Sequence, residues 1–427
     1  MEVSIHSFGA DNKAVLAIFK LLMPTVARDE RDNPEKQNAL TLLRKLSGRK
    51  NELNCLIQLF DELNAVDEVK ENLFQQLQLF VQVKPMSWLP LQHRNFPLQK
   101  IQFTSSVQKH FSVGEQFKNG SISKIKINTA QQQPLCSYTK NVLMTLLRES
   151  DPVTYALPQS TQLFDCGHGT TVAMFSMEIK KRLAVESYIG YVAFKNNLPL
   201  AYGGAWITGT HARIGINIFP WFRGGESART MAQLMHVYHT HTGVKTFSVE
   251  PYQIGKGNSD AIKSGAFWFY YRLGFRCMQN DLQLLAESEW KKINADKTYR
   301  SNLATLNQLA NANLVFHIGN DEPQIISSKE ISEYIQKAIT KKFDGNICVA
   351  KSAGKTKLKK IFGDALTNLN PDEKFWIDEF AILIACMPDM NDLKSADKKK
   401  LMQLLLSKAS VDESEFVKQW QKNMAWN

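Results

Sequence analysis

The chain has 427 residues, of which 44% are hydrophobic, 22% charged and 10% aromatic, a globular composition with length for two or three domains. No apolar run approaches the roughly 20 residues a membrane-spanning helix needs, no basic-then-apolar leader opens the sequence, and six scattered cysteines without a CxxC pair argue against a disulfide framework or zinc ribbon. The expected setting is a reducing cytoplasm, with no membrane partner. The charge is uneven: residues 101–320 carry 22 basic and 13 acidic side chains, whereas 1–100 carry 13 and 12 and 321–427 carry 17 and 16. Most of the net +11 therefore sits mid-chain, which points to an anionic partner there: a phosphate cofactor, a nucleic acid or an acidic protein.

Residues 1–83 read as a helical region. AVLAIFKLL (14–22), NALTLLRKL (38–46) and NELNCLIQLFDELN (51–64) repeat apolar residues at helical spacing, and VKENLFQQLQLFVQV (69–83) continues it. Residues 84–163, with several prolines, a Gln run at 131–133 and short alternating pieces such as SISKIKIN (121–128), read as an irregular connection. From 164 to 290 strands and helices alternate. YIGYVAFKNN (188–197) and PLAYGGAWITG (199–209) form a predicted hairpin around Asn196-Asn197, and ARIGINIFP (212–220) is a third strand. A helix over 226–243 follows, with Gly243 beyond its end. KTFSVEP (245–251) is the next strand, and a single helix over 259–274 is expected, capped by Ser259 and stopped at Gly274, before the short strand FRCM (275–278). Residues 320–427 return to helix, with Asn370-Pro371-Asp372-Glu373 as a well-formed helix start.

Three pieces carry chemistry: a strand ending in FPWFRGGESA (219–228) that opens a helix, the strand FSVEP, and AFWFYYRLGF (266–275). Together they resemble the GNAT superfamily of N-acyltransferases over roughly residues 170–280. In that family a Gln/Arg-x-x-Gly-x-Gly/Ala turn starts a helix whose backbone N–H groups hold the pyrophosphate of coenzyme A, as helix N-termini do with anions. The resemblance places Phe222, Arg223, Gly224, Gly225, Ser227 and Ala228 at the cofactor, with Phe222 at the position of the family's basic residue and Arg223 one place later. The family's later pattern, Asn-x-x-Ala-x-x-x-Tyr-x-x-x-Gly-Phe, is matched by Ala266, Tyr270, Gly274 and Phe275, with Lys263 in place of the asparagine. It implies Tyr270 as the acid for the departing thiolate. The whole set RGGES…VEPYQIG…SGAFWFYYRLGFR resembles long, uncharacterised bacterial proteins built around a GNAT-like domain.

Acyl transfer also needs a deprotonated amine, for which Glu250 at a strand end is the candidate base, and Asn217 is placed to orient donor or acceptor. Glu226, in the first turn of the phosphate-binding helix, either occupies the anion site itself or points away and leaves it to Arg223, Arg229 and the free N–H groups. Arg223 and the glycine pair favour the second arrangement. Several other signals are set aside. AGKT (353–356) has Val349 where a phosphate loop requires glycine, and His236, His239 and His241 lack the i, i+4 pairing of a helical zinc site, so no metal is expected. Cys166 and His168 in DCGHG read as a glycine turn rather than a nucleophile pair, and KTKLKK (355–360) as a solvated face.

The expectation is thus an α/β GNAT-like central domain with a mixed sheet between helical flanks. It would move an acyl group, acetyl by preference, from acyl-CoA to an amine. A non-catalytic GNAT-like binding module and transfer from aminoacyl-tRNA are the alternatives.

Overall fold

The computed structural model describes residues 2–23, 38–84, 97, 99–103, 113–224, 226–323, 325–388, 390 and 393–423. The chain forms two compact units, residues 1–92 and 93–427.

In the first unit, β1 (Glu2–Phe8) pairs antiparallel with β2 (Leu79–Lys84), Glu2 lying opposite Lys84. Between them run α1 (Asn12–Leu22), α2 (Ala39–Ser47), α3 (Glu52–Glu62) and α4 (Asp67–Gln76), which bury Val15, Phe19, Leu42, Leu43 and Leu56 together. The all-helical expectation for 1–83 is corrected at both ends. Helical spacing persists past Gln76, but Gln78 adopts φ 48° and the chain turns into β2. The deciding partner is β1, some seventy residues earlier in sequence, which no local period reveals.

The second unit is built on a ten-stranded mixed sheet. Its strands are β3 (Ser123–Ile125), β4 (Gln162–Asp165), β5 (Thr170–Ser176), β6 (Ser187–Lys195), β7 (Leu198–Thr208), β8 (His211–Ile214), β9 (Asn217–Ile218), β10 (Thr246–Val249), β11 (Arg276–Cys277) and β12 (Leu314–His317). The spatial order is β11-β12-β10-β8-β7-β6-β5-β4-β3, with β9 beside β7. The β6–β7 hairpin turns on Asn196 and Asn197, both at positive φ, as a tight turn between right-twisted strands demands. The turn between β4 and β5 holds Gly167, His168 and Gly169 in left-handed conformation, and burial pushes the Cys166 thiol far up, so neither is placed as a nucleophile pair.

Helices α5 (Val113–Asn119) and α6 (Thr129–Thr145) precede the main strands. The presence of α6 corrects the irregular reading of 84–163. Asn128 caps it and Gln131 returns the bond to the Asn128 N–H, a capping box hidden inside the glutamine run. Helix α7 (Ser227–Thr242) crosses from β8 to β10, buries Met231, Leu234, Met235 and Tyr238 in the main core, and ends at Gly243 in left-handed conformation. The expected single helix over 259–274 is broken. After α8 (Pro251–Ile254) come α9 (Ser259–Ser264) and α10 (Ala266–Arg272), separated by Gly265 at φ 68°, and Asn258 rather than Ser259 caps α9. The third predicted strand is also split, at Gly215 and Ile216, into β8 and β9.

Between the antiparallel neighbours β11 and β12, residues 278–313 insert α11 (Asn280–Ala295) and α12 (Leu303–Leu309). The C-terminal helices α13 (Ser328–Phe343), α14 (Ile347–Phe362), α15 (Pro371–Cys386), α16 (Ser395–Ser407) and α17 (Ser414–Asn423) have a core of their own around Leu358, Trp376, Phe380, Ile384 and Phe416. Asn370 and Glu373 form the capping box of α15. Gly354, from the AGKT segment, lies within α14, where a Cβ would overlap the Ala381 carbonyl, so its role is close helix packing. No helix among the described residues is long and apolar enough to cross a membrane.

Candidate functional site

β8 and β10 are the one parallel pair among the described strands, and α7 is their crossover. The N-terminus of α7 therefore follows the carboxyl end of β8, the place where open α/β sheets take their ligands. A cleft of about 1470 Å³ opens there. One wall is Ile216, Asn217, Ile218, Arg223, Gly224, Ser227 and Ala228; Gln253, residues 260–266 and the α10 side chains Trp268, Phe269, Tyr270 and Arg272 form another, and Arg300, Ser301, Leu303 and Leu306 come from the insertion.

The N-terminus of α7 is left without a side-chain cap. Glu226 is its cap residue, but no side chain caps the helix, and Thr230 is the residue whose N–H reaches the Glu226 carbonyl, at 2.9 Å. The first-turn N–H groups of Ser227 and Ala228 have no intrahelical acceptor by helix geometry. Gly224, at φ 87°, has open space where a Cβ would stand. The Glu226 carboxylate is not in the cleft lining: Lys195 Nζ holds it at 2.7 Å and Arg229 Nη1 at 3.3 Å. The carboxylate is thus engaged by two cations and does not line the cleft. Arg229 goes with it, buried against Glu226 rather than free for a ligand as the sequence reading allowed. Arg223 does line the cleft, its Nε donating to the Ile218 carbonyl at 3.1 Å. Phe222 does not; it packs against the main core. Gly225 lies outside the described residues.

Tyr270 lines the same cleft, almost wholly buried, and its hydroxyl donates to Gln253 Oε1 at 3.2 Å. Burial drives its pKa well above that of an ordinary tyrosine, so the phenol stays protonated. Gln253 was not singled out from sequence. It lies in the VEPYQIG link and rests against Gly215, where a Cβ would come within 2.7 Å of its Nε2, so the glycine that splits β8 from β9 makes room for it. Tyr191, buried in the main core, donates to the Gly215 carbonyl at 2.8 Å.

Asn217 lines the cleft from β9. Glu250 departs from its expected place. It is absent from the lining, half exposed, and bonded to Arg213 Nη1 at 2.9 Å, the same guanidinium that holds Glu186 at 2.9 Å. The lining carboxylates are Glu115 and Asp260. The α7 histidines have protein partners: His236 Nδ1 with Gln116 at 3.3 Å, His239 Nδ1 with the Val244 carbonyl at 2.7 Å, and His241 Nε2 with Asp412 at 3.4 Å. Among the described residues no cluster of metal ligands occurs.

Comparison with protein-family models, curated proteins and solved structures finds no match to this chain. What the site does must therefore be argued from its geometry.

Proposed function

We propose that the chain is a GNAT-type N-acyltransferase that moves an acyl group from acyl-CoA to an amine. The observation that carries this is one cleft holding both the uncapped N-terminus of α7 and the buried Tyr270 hydroxyl. The first binds a diphosphate and the second serves a leaving sulfur. The diphosphate of CoA would lie on the N–H groups of Ser227 and Ala228 beside Arg223, with Gly224 allowing close backbone approach. The pantetheine arm would run past Ile216 to Ile218 toward Tyr270 and Gln253.

In the reaction, the amine nitrogen attacks the thioester carbonyl carbon, the C–S bond breaks, and the sulfur leaves with its electron pair. Tyr270 gives that sulfur a proton and is reprotonated from solvent. The same burial that raises the phenol also raises the basicity of a thiolate beside it, which keeps the transfer matched. The proton lost by the amine goes to a carboxylate of the cleft, and Asp260, exposed on the first turn of α9, is the one we assign.

Calorimetric titration with acetyl-CoA tests this reading, together with release of free CoA thiol over a panel of amines. Stoichiometric binding and acceptor-dependent thiol release support it. Thiol-free binding would leave a non-catalytic module. Retention of tRNA that falls steeply with salt, without acyl-CoA binding, would replace it with the aminoacyl-tRNA reading.

A further inference from the structure

The insertion 278–313 is more than the topology requires, because antiparallel neighbours such as β11 and β12 can be joined by a two-residue turn. The insertion delivers Arg300, Ser301 and Leu303 to the cleft. It is fastened to α10 by stacking and by Gln283, whose Nε2 donates to the Tyr271 hydroxyl at 3.5 Å. Trp290 stacks on Trp268 at 5.7 Å, and the Arg272 guanidinium stands 6.0 Å from the Trp290 ring. Tyr299, beside Arg300, donates to Glu289, beside Trp290, at 2.9 Å. Arg272 from α10 and Arg300 from the insertion both line the cleft.

Neither arginine is in an ion pair among the described residues; Arg300 donates only to the backbone carbonyls of Lys297 and Tyr299. Lys263, also in the lining, is likewise without an ion pair. Trp268 of α10, also in the lining, has a solvent-shielded indole N–H with no acceptor among the described residues. Three cations without an ion pair outnumber the carboxylates Asp260 and Glu115 in this lining, and although Asp296 acts on Arg300, a concave surface with that excess attracts an anion. The cleft, at about 1470 Å³, is also larger than the roughly 300–1,000 Å³ of an ordinary single-ligand pocket.

We infer that α10 and the insertion build a second anion subsite in the cleft, and that the acyl acceptor is an amine bearing a carboxylate or phosphate group, held by Arg272 and Arg300. The acceptor assignment rests on the acyl-transfer reading, whereas the subsite itself does not. The other source of the same chemistry is the 3′-phosphate of CoA, and the test separates the two.

Equilibrium dialysis of the full chain against radiolabelled inorganic phosphate is run alone, with saturating CoA and with saturating dephospho-CoA. Wild type is compared with the double variant Arg272→Gln/Arg300→Gln and with Lys399→Gln, which removes a helix charge elsewhere. The expected result is phosphate retained alongside either nucleotide, roughly tenfold or more weaker in the double variant and unchanged in Lys399→Gln. Absence of phosphate retention alongside dephospho-CoA overturns the subsite. Retention with dephospho-CoA but not with CoA overturns the acceptor assignment and gives the arginines to the nucleotide. If neither nucleotide binds but arginine-dependent phosphate retention persists, the subsite stands and the acyl-transfer reading falls.

Discussion

The junction between the sheet and the C-terminal helices and the cleft treat cations in opposite ways. At the junction, Arg182, Lys408 and Glu413 have no exposed side-chain surface. Lys408 Nζ bonds Glu413 at 2.6 Å, the Glu186 carbonyl at 3.1 Å and Ser187 at 3.2 Å, and stands 4.1 Å from the Phe416 ring. Arg182 donates to the carbonyls of Lys408, Ser410 and Val411 and lies 3.6 Å from Glu413. Burial lowers the Lys408 pKa to about 8 even with Glu413 opposing it, a measure of how dry the site is. In the cleft, Arg223, Lys263, Arg272 and Arg300 have no ion-pair partner among the described residues, although Lys195 and Arg229 close by are both paired to Glu226. Buried charges held by a shared carboxylate and by backbone carbonyls fix how two parts of a fold sit together. Charges left without partners in a concave site keep their interaction energy for a ligand.

The contrast breaks if junction and cleft substitutions have similar effects. Glu413→Gln removes the carboxylate that both buried cations contact and is expected to cost about 3–5 kcal/mol in urea unfolding. The sheet side of the comparison is tested by pH. Burial, with Arg213 adding to it, lowers the His211 pKa to about 4. The unfolded state binds the extra proton first, so stability present above pH about 6.5 is lost as pH falls toward 4, on the order of 3 kcal/mol in all. Unfolding curves across that range should flatten in His211→Gln. Within the helical bundle, Gly354→Ala is expected to cost about 1–3 kcal/mol, because the Ala381 backbone must move.

Cleft substitutions should be mild for stability and severe for activity. Tyr270→Phe loses one hydrogen bond, about 1 kcal/mol, yet should slow thiol release by roughly a hundredfold or more with little change in CoA affinity. Equal losses of affinity and stability would return Tyr270 to a packing role. Arg223→Gln is expected to shift unfolding by less than about 0.5 kcal/mol and to weaken CoA binding roughly tenfold.

Local signals made three features legible. The Asn196-Asn197 turn, the apolar stripe and glycine stop of α7, and the start of α15 at Asn370 are each decided by residues within a few positions. The β1–β2 pair was not legible because its strands are distant in sequence. Nor was the break at Gly265, since glycine in a helical pattern is ambiguous until its φ is known. The insertion with α11 and α12 gave no motif at all. In the site, Arg223, Gly224, Ser227, Ala228, Asn217 and Tyr270 come together, whereas Phe222 and Glu250 lie elsewhere. Gln253 escaped notice because an amide carries no chemical flag in sequence; only Gly215 and the Tyr270 hydroxyl give it a role.

The central claim is that the α7 terminus is open to a diphosphate because Glu226 is drawn away by Lys195 and Arg229. Calorimetric titration of CoA into wild type and Glu226→Gln tests it most directly. The account predicts stoichiometric binding to wild type and no tightening in the variant. Binding that appears only after the substitution would mean that Glu226 occupies the anion position itself, and would contradict the account.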